Sequence, residues 1–283
     1  MEKKRPSVKN WEQNTFDQLN SEVVQVGLCT HCGTCAGLAP DHLYMEQTAW
    51  GPLPSSKTNT KVKLPPMIFD VCPGVGVKYS ALNKVIFGKY PENWLAGCFE
   101  NFYIGFSNTP KIRRQGASGG VITQALLFLL DEGLIDGAVV LRHGWPKPWL
   151  SSPIIANTKS EIIAASQSVY IPTPVNTILT EMEAFDGRLA YVGLPDQVAS
   201  LRVLQTLGHP GALKVDYVLG PYVGTSIYLD AIKSYLISNG FNGLEDIKEL
   251  RYREGEWPGY LQIKTKSGEV LRASKFYYNY LIP

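Results

Sequence analysis

The sequence predicts an α/β fold: a mixed sheet of parallel strand–helix units with an antiparallel C-terminal extension, preceded by a small irregular cysteine-rich module. Three observations carry this. Strand-like and helix-like segments alternate between residues 102 and 238. Three short alternating runs around a hairpin turn follow them. Four cysteines fall within residues 23–75, a stretch rich in Pro, Gly, Ser and Thr with little periodicity. Such a stretch buries too little apolar area to order itself, so something else must hold it.

Taken in order, residues 1–22 are polar, with Trp11 and Phe16, and read as an arm. Residues 80–100 read as a connector with several aromatics. Phe102–Phe106 reads as a strand and residues 115–120 as a loop. Val121–Leu130 is a strongly apolar helix ending at Gly133. Ala138–Arg142 is a strand, and Ser160 opens a short helix to Ala165. Val175–Phe185 is a helix before the turn Asp186-Gly187. Leu189–Gly193 is a strand, Gln197–Leu207 a helix and Leu213–Leu219 a strand. Ser226–Ser238 is a helix closed by Asn239-Gly240. Leu250–Arg253, Tyr260–Thr265 and Val270–Ala273 alternate as antiparallel strands, with Ser267-Gly268 as a turn. The expected domains are residues 1–95 and 96–283.

Composition narrows the function. The 283 residues suffice for one large domain or two modest ones. At 45% hydrophobic and 18% charged, the chain is too apolar for disorder. Lys+Arg at 27 against Asp+Glu at 25 leaves a net charge of +2, which speaks against nucleic acid as a partner. No apolar run reaches the ~20 residues a membrane helix needs. Met1–Arg5 is charged and no apolar signal core follows, so a cytoplasmic location is expected. In that reducing compartment the odd cysteine count argues against a disulfide framework.

Cys29-Thr-His-Cys32-Gly-Thr-Cys35 is C-x2-C-x2-C. Zinc sites usually come as separated pairs. Three thiolates at this spacing instead fit three irons of one iron–sulfur cube. In two-cluster ferredoxins the run continues to a Cys-Pro, but here Ala39-Pro40 stands at that place. Cys72-Pro73 supplies a Cys-Pro at a distance. One 4Fe–4S cluster held by Cys29, Cys32, Cys35 and Cys72 is therefore expected. Buried structural thiols or a zinc loop are the alternative. His31, between two ligands, is expected to face solvent, and Cys98 to be a core thiol.

Gly116-Ala-Ser-Gly-Gly120 opens the apolar helix. Free backbone N–H groups and the positive end of a helix dipole suit phosphate there. Ser118 adds a hydroxyl, and Arg113 and Arg114 stand just before the loop. The motif is neither G-x-G-x-x-G nor a Walker loop, so a plain helix start with packing glycines is an equal alternative. Gly193-Leu-Pro-Asp-Gln197 again follows a strand and opens a helix, the place where α/β sheets collect ligands. Asp196 there is equally a first-turn charge.

The ordered set of C-x2-C-x2-C, Cys72-Pro, Gly-Ala-Ser-Gly-Gly-Val and Gly-Leu-Pro-x-Gln-x-Ala-x-Leu-Arg resembles the coenzyme F420 hydrogenase/dehydrogenase β-subunit family, over roughly residues 25–280. Members are iron–sulfur flavoproteins, generally with FAD rather than FMN. The resemblance implies that Ser118, Gly119 and Gly120 bind the flavin. It places Ser168 and Tyr170 near it, because Gln167-Ser-Val-Tyr170 is similar to the family's Gly-Ser-Lys-Tyr segment. Gly193, Pro195 and Gln197 would line the same pocket. The implied function is an oxidoreductase. It would pass electrons between a ferredoxin-like donor or partner subunit, a 4Fe–4S cluster, a flavin and an organic substrate such as a deazaflavin. A non-catalytic electron-relay subunit is the alternative, and oligomers are compatible with either. Tyr170 and Asp196 are the candidates for a general acid.

The chain departs from the family where Asp196 and the Leu219-Gly-Pro221 run stand in place of cysteines, so a second cluster is not expected. Val169 stands where relatives carry Lys or Arg that could supply charge to a reduced flavin. Relatives also continue past Phe276–Tyr280 into a cysteine-containing region, which implies a truncation or a partner at this end.

Overall fold

The computed structural model describes residues 15–58 and 62–274. Residues 1–14, with Trp11 of the expected arm, and 275–283, with the aromatic Phe276–Tyr280 stretch, lie outside the described residues.

Helix α1 (Phe16–Leu19) runs into a π-helical turn at Asn20–Val24 and leads to the cysteine loop. Helix α2 (Thr34–Leu38), the antiparallel hairpin β1 (Leu43–Thr48) and β2 (Gly51–Ser56), and α3 (Ile68–Val71) complete the module. The sequence shows little periodicity here because Pro52 and Pro54 interrupt the alternation. A two-stranded ribbon has only edge strands, where proline is tolerated. The module packs around Leu19, Leu43, Ile68 and Phe69.

The connector contains α4 (Tyr79–Phe87), which buries only Leu82. The strand expected at Phe102–Phe106 does not form. Those apolar residues find no paired strand, and Phe102, Tyr103 and Ile104 stay exposed. Cys98 is half-exposed rather than a core thiol. Helix α5 (Pro110–Gln115) precedes the Gly116–Gly120 loop, which therefore joins two helices rather than a strand and a helix.

The central sheet contains β3 (Gly137–His143), β4 (Ser151–Ala156), β5 (Leu189–Val192) and β6 (Val215–Leu219), in the order β4-β3-β5-β6. β3, β5 and β6 are parallel, and β4 pairs antiparallel on the edge of β3. Pro153 hid β4 in the sequence, and its edge position explains why the proline is accepted. Alternate residues face opposite layers. Ala138, Val140 and Ala190 pack on α6 (Val121–Asp131) and α7 (Lys159–Ala164). Val139, Leu189 and Tyr191 pack on the other side, among α8 (Leu179–Ala184), α9 (Pro195–Thr206) and α10 (Pro210–Leu213).

Four helix starts are displaced from the expected ones; α9 begins at Pro195, two residues before Gln197. Thr158, not Ser160, caps α7, in a capping box with Glu161. The helix expected from Val175 begins as a 3-10 turn, Val175–Ile178, before α8. Helix α11 (Leu229–Ser238) starts three residues later than Ser226. The last described residues form an antiparallel sheet of β7 (Ile247–Glu254), β8 (Tyr260–Thr265) and β9 (Val270–Ser274), packed with α11 around Ile232, Leu236, Ile247 and Leu261. No helix among the described residues is long and apolar enough to cross a membrane.

Candidate functional site

Two cavities flank the start of α9. The smaller one lies in the cysteine module. Cys29, Cys32, Cys35 and Cys72 all line it, together with apolar Leu19, Val23 and Ile68. All four are free thiols. Cys72 comes from the end of α3 and is brought to the other three by the packing of α3 beneath α2. Burial, then the neighbouring sulfurs, pushes the Cys35 thiol up; the same causes push Cys72 up to about 11. Burial also raises Cys29. Among the described residues, no three His, Cys, Asp or Glu side chains close around a single ion. His31, in a left-handed turn, does not face solvent freely: its Nδ1 lies 2.9 Å from the Pro52 carbonyl on the hairpin.

The cysteine loop is clamped from outside. Gly33 and Gly37 lie against Pro174 and Asn176, with no room for a Cβ at either. The Asn176 backbone N–H donates to the Cys32 carbonyl at 2.9 Å. Its side-chain amide donates to Thr34 Oγ1 at 2.9 Å and to the Gln197 carbonyl at 3.2 Å. The Tyr191 hydroxyl donates to Asn176 Oδ1 at 2.5 Å. Thr34 Oγ1 in turn lies 3.2 Å from Cys32 Sγ. Burial holds the Tyr191 phenol well above its ordinary range, which keeps it a donor. Asp196, in the first turn of α9, accepts from the Thr30 side chain; burial nonetheless raises its carboxyl.

The larger cavity, about 310 Å³, opens at the carboxyl ends of β3 and β5, where α/β sheets bind ligands. Of the residues expected there, Ser118, Gly120, Ser168, Tyr170, Gly193 and Gln197 line it. Gly119 and Pro195 lie in the same loops but outside the lining: the Gly119 carbonyl accepts from Ser107 N–H at 2.8 Å, and Pro195 is the exposed first residue of α9. Gly120 is left-handed at φ 74°, and a Cβ on it would stand 2.7 Å from the Ile112 carbonyl, so the turn into α6 requires glycine. Gln197 spends both ends of its amide on structure. Its Oε1 accepts from Leu194 N–H at 2.9 Å and its Nε2 donates to the Thr173 carbonyl at 3.0 Å.

Two features of this cavity had no signal in the sequence. Residues 221–226 form part of its wall. Arg253, buried on β7, stands behind the lining and bonds two of its residues from the C-terminal sheet. Its Nη2 donates to the Ala117 carbonyl at 2.8 Å, its Nη1 to Tyr170 Oη at 3.2 Å and its Nε to the Pro258 carbonyl at 2.5 Å. A buried guanidinium thus ties the glycine loop to Tyr170. Gln167, in the wall and left-handed at φ 85°, has a buried Oε1 without a hydrogen-bond partner among the described residues. An unpaired buried acceptor is costly unless a ligand donor meets it.

Comparison with known proteins gives consistent matches. A model of the coenzyme F420 hydrogenase/dehydrogenase β-subunit N-terminal region matches residues 102–180, and that of its C terminus matches residues 186–276. The chain is 25% identical to the coenzyme F420-dependent sulfite reductase of Methanocaldococcus jannaschii over 88% of its length and 39% of that protein's. It is 25% identical to coenzyme F420 hydrogenase subunit β of Methanothermobacter thermautotrophicus, over 59% of this chain and 60% of that one. It thus spans less than two thirds of either relative. Among solved structures, the F420-reducing [NiFe] hydrogenase complex from Methanosarcina barkeri matches with a TM-score of 0.47 and 23% identity, covering 65% of this chain and 66% of that one.

Proposed function

Because the chain belongs to the coenzyme F420 hydrogenase/dehydrogenase β-subunit family, we propose that it is an iron–sulfur flavoprotein subunit of an oxidoreductase. Cys29, Cys32, Cys35 and Cys72 would hold one 4Fe–4S cluster, and the larger cavity would hold a flavin, FAD as in the resemblance above. Electrons would be exchanged between a ferredoxin-like donor or partner subunit and an organic substrate such as a deazaflavin.

The donor set fits the cluster. Four soft sulfur donors converge from the cysteine loop, the first turn of α2 and the end of α3 on a cavity walled largely by apolar side chains. That no single-ion group forms is compatible with a cube, because each sulfur then bonds a different iron and the four stay apart. The raised thiols need a bound cationic centre to deprotonate them at neutral pH. The larger cavity fits the ring portion of a flavin on separate grounds: a volume at the low end for small-molecule sites, the unpaired Gln167 acceptor in its wall, and the helix start behind Gly120.

Bound there, a flavin supplies electron transfer in pairs or singly and a cluster transfer of single electrons. The chain's own part is placement. Arg253 holds the Ala117 carbonyl and Tyr170 in register and puts a fixed positive charge beside the cavity, where the Lys or Arg expected in place of Val169 is missing. Gln197 and Asn176, both buried, brace the wall between the two cavities through their hydrogen bonds. Tyr170 and Asp196 remain the candidate proton donors, Asp196 on the cysteine side and Tyr170 on the other.

The observation that supports this most is the shared wall: one buried hydrogen-bonded set, Gln197–Asn176–Thr34, runs from the lining of the larger cavity to the Cys32 sulfur. Anaerobic purification with iron, sulfide and cofactor analysis tests it. Iron and sulfide near four each per chain, with extracted FAD, is the expected result. Cluster without flavin would favour the electron-relay alternative, for which the loss of the Lys or Arg at Val169 already speaks. A colourless zinc protein would overturn both.

A further inference from the structure

The geometry points to Thr34, Asn176 and Tyr191 as a relay of positioning residues that aims one hydrogen bond at the Cys32 sulfur and thereby raises the reduction potential of the metal centre. This rests on the proposal that the four cysteines hold a 4Fe–4S cluster.

The direction of every bond in the relay is fixed by valence. Tyr191 can give its hydroxyl proton only to Asn176 Oδ1, its partner at 2.5 Å. Asn176 must then face its amide NH2 the other way, and both protons are used, on Thr34 Oγ1 and the Gln197 carbonyl. Thr34 Oγ1 is thus an acceptor from Asn176, and its own proton is left for Cys32 Sγ, 3.2 Å away. A metal-bound thiolate carries no proton, so Thr34 can only be the donor in that contact. Ser200 is not a rival, because its hydroxyl is 4.0 Å from Cys32 Sγ and 3.2 Å from the Asp196 carbonyl.

All three residues are buried: Thr34 at 1% exposure, Asn176 and Tyr191 at 0%. In a low-dielectric site, hydrogen bonds in series polarise one another, and an upstream donor strengthens the last one. A hydrogen bond to a cluster sulfur stabilises the reduced, more negative state over the oxidised one, so it raises the potential. The relay also sits on the side of Cys32 that faces the larger cavity, because Asn176 bonds the Gln197 carbonyl there. Cys32 is therefore the ligand tuned from the flavin side.

The test is an EPR-monitored redox titration of the holoprotein and three variants. Thr34→Val keeps the shape and removes the proton. Its reduction equilibrium is expected to fall about tenfold, about 59 mV for one electron. Tyr191→Phe removes only the upstream donor and shifts the potential in the same direction by less. Thr34→Ser restores the proton and returns the potential to that of the unmodified protein. An intact cluster with an unchanged potential in Thr34→Val would overturn the relay. If that variant does not fold, an unchanged potential in folded Tyr191→Phe would do the same. An unmodified protein that takes up no iron and sulfide would instead overturn the four-thiol proposal, and the relay with it.

Discussion

Gly37 lies against the carbonyl of Asn176 so closely that a Cβ on it would overlap the oxygen. The cysteine module and the α/β sheet are thereby joined without an intervening side chain. Helix α2 carries Gly37, and its close approach to the 3-10 turn is what lets Asn176 reach both the Cys32 carbonyl and Thr34.

Gly37→Ala is therefore expected to push α2 off that turn, at about 1–3 kcal/mol of stability for the overpacking. Iron content is expected to fall with it. Chemical denaturation of the two proteins, with iron analysis on the same samples, checks this; equal midpoints would contradict the clamp.

Cys72→Ala removes the proposed fourth cluster ligand, at the end of α3. The described fold should survive, since the side chain is only half-buried and replaces little packing. Bound iron and sulfide should drop to a small fraction of the unmodified protein's. Retention of a full cluster would show that a different fourth ligand is in use.

Arg253→Lys keeps the charge and loses the fork. A lysine ammonium cannot reach the Ala117, Tyr170 and Pro258 partners together. The expected cost is about 1.5–3 kcal/mol, the usual range for a hydrogen bond to a charged group. Flavin retention through gel filtration should fall as the glycine loop loosens. Unchanged retention and melting temperature would remove Arg253 from the site.

His143, at the end of β3, is held neutral: burial first, then Arg251, depress its pKa below 6.5. Its Nε2 lies 2.9 Å from the Ser166 carbonyl in the wall of the larger cavity, so the neutral ring donates there. The unfolded chain binds a proton more readily than the folded one. The stabilisation is thus complete above pH 6.5 and is lost as the pH falls through the lower folded value. Melting temperatures between pH 8 and about pH 5 should decline in the unmodified protein and less so in His143→Gln. Parallel curves would contradict the assignment.

What the sequence revealed depended on how local the signal was. That the four cysteines gather at one cavity was legible because three of them share seven residues and the fourth carries a Cys-Pro signature. The strands β3, β5 and β6 were legible because their apolar residues serve two buried layers. β4 and the β1–β2 hairpin were hidden by prolines that only an edge strand accepts. Phe102–Phe106 misled because apolarity promises burial but does not supply a partner strand. Arg253 meets Tyr170 and Ala117 across 83 and 136 positions, and Asn176 meets Thr34 across 142. No window along the chain contains both ends of such a bond.

That last bond sets a rule for how this region can vary. Removing one member of a fully satisfied buried set strands its neighbour's polar atom, at about 1–3 kcal/mol. Replacing the members together by apolar residues of like shape costs far less. Drift at positions 34, 176 and 191 should accordingly proceed in concert, each lineage holding the whole trio or a wholly apolar substitute, with mixed states scarce.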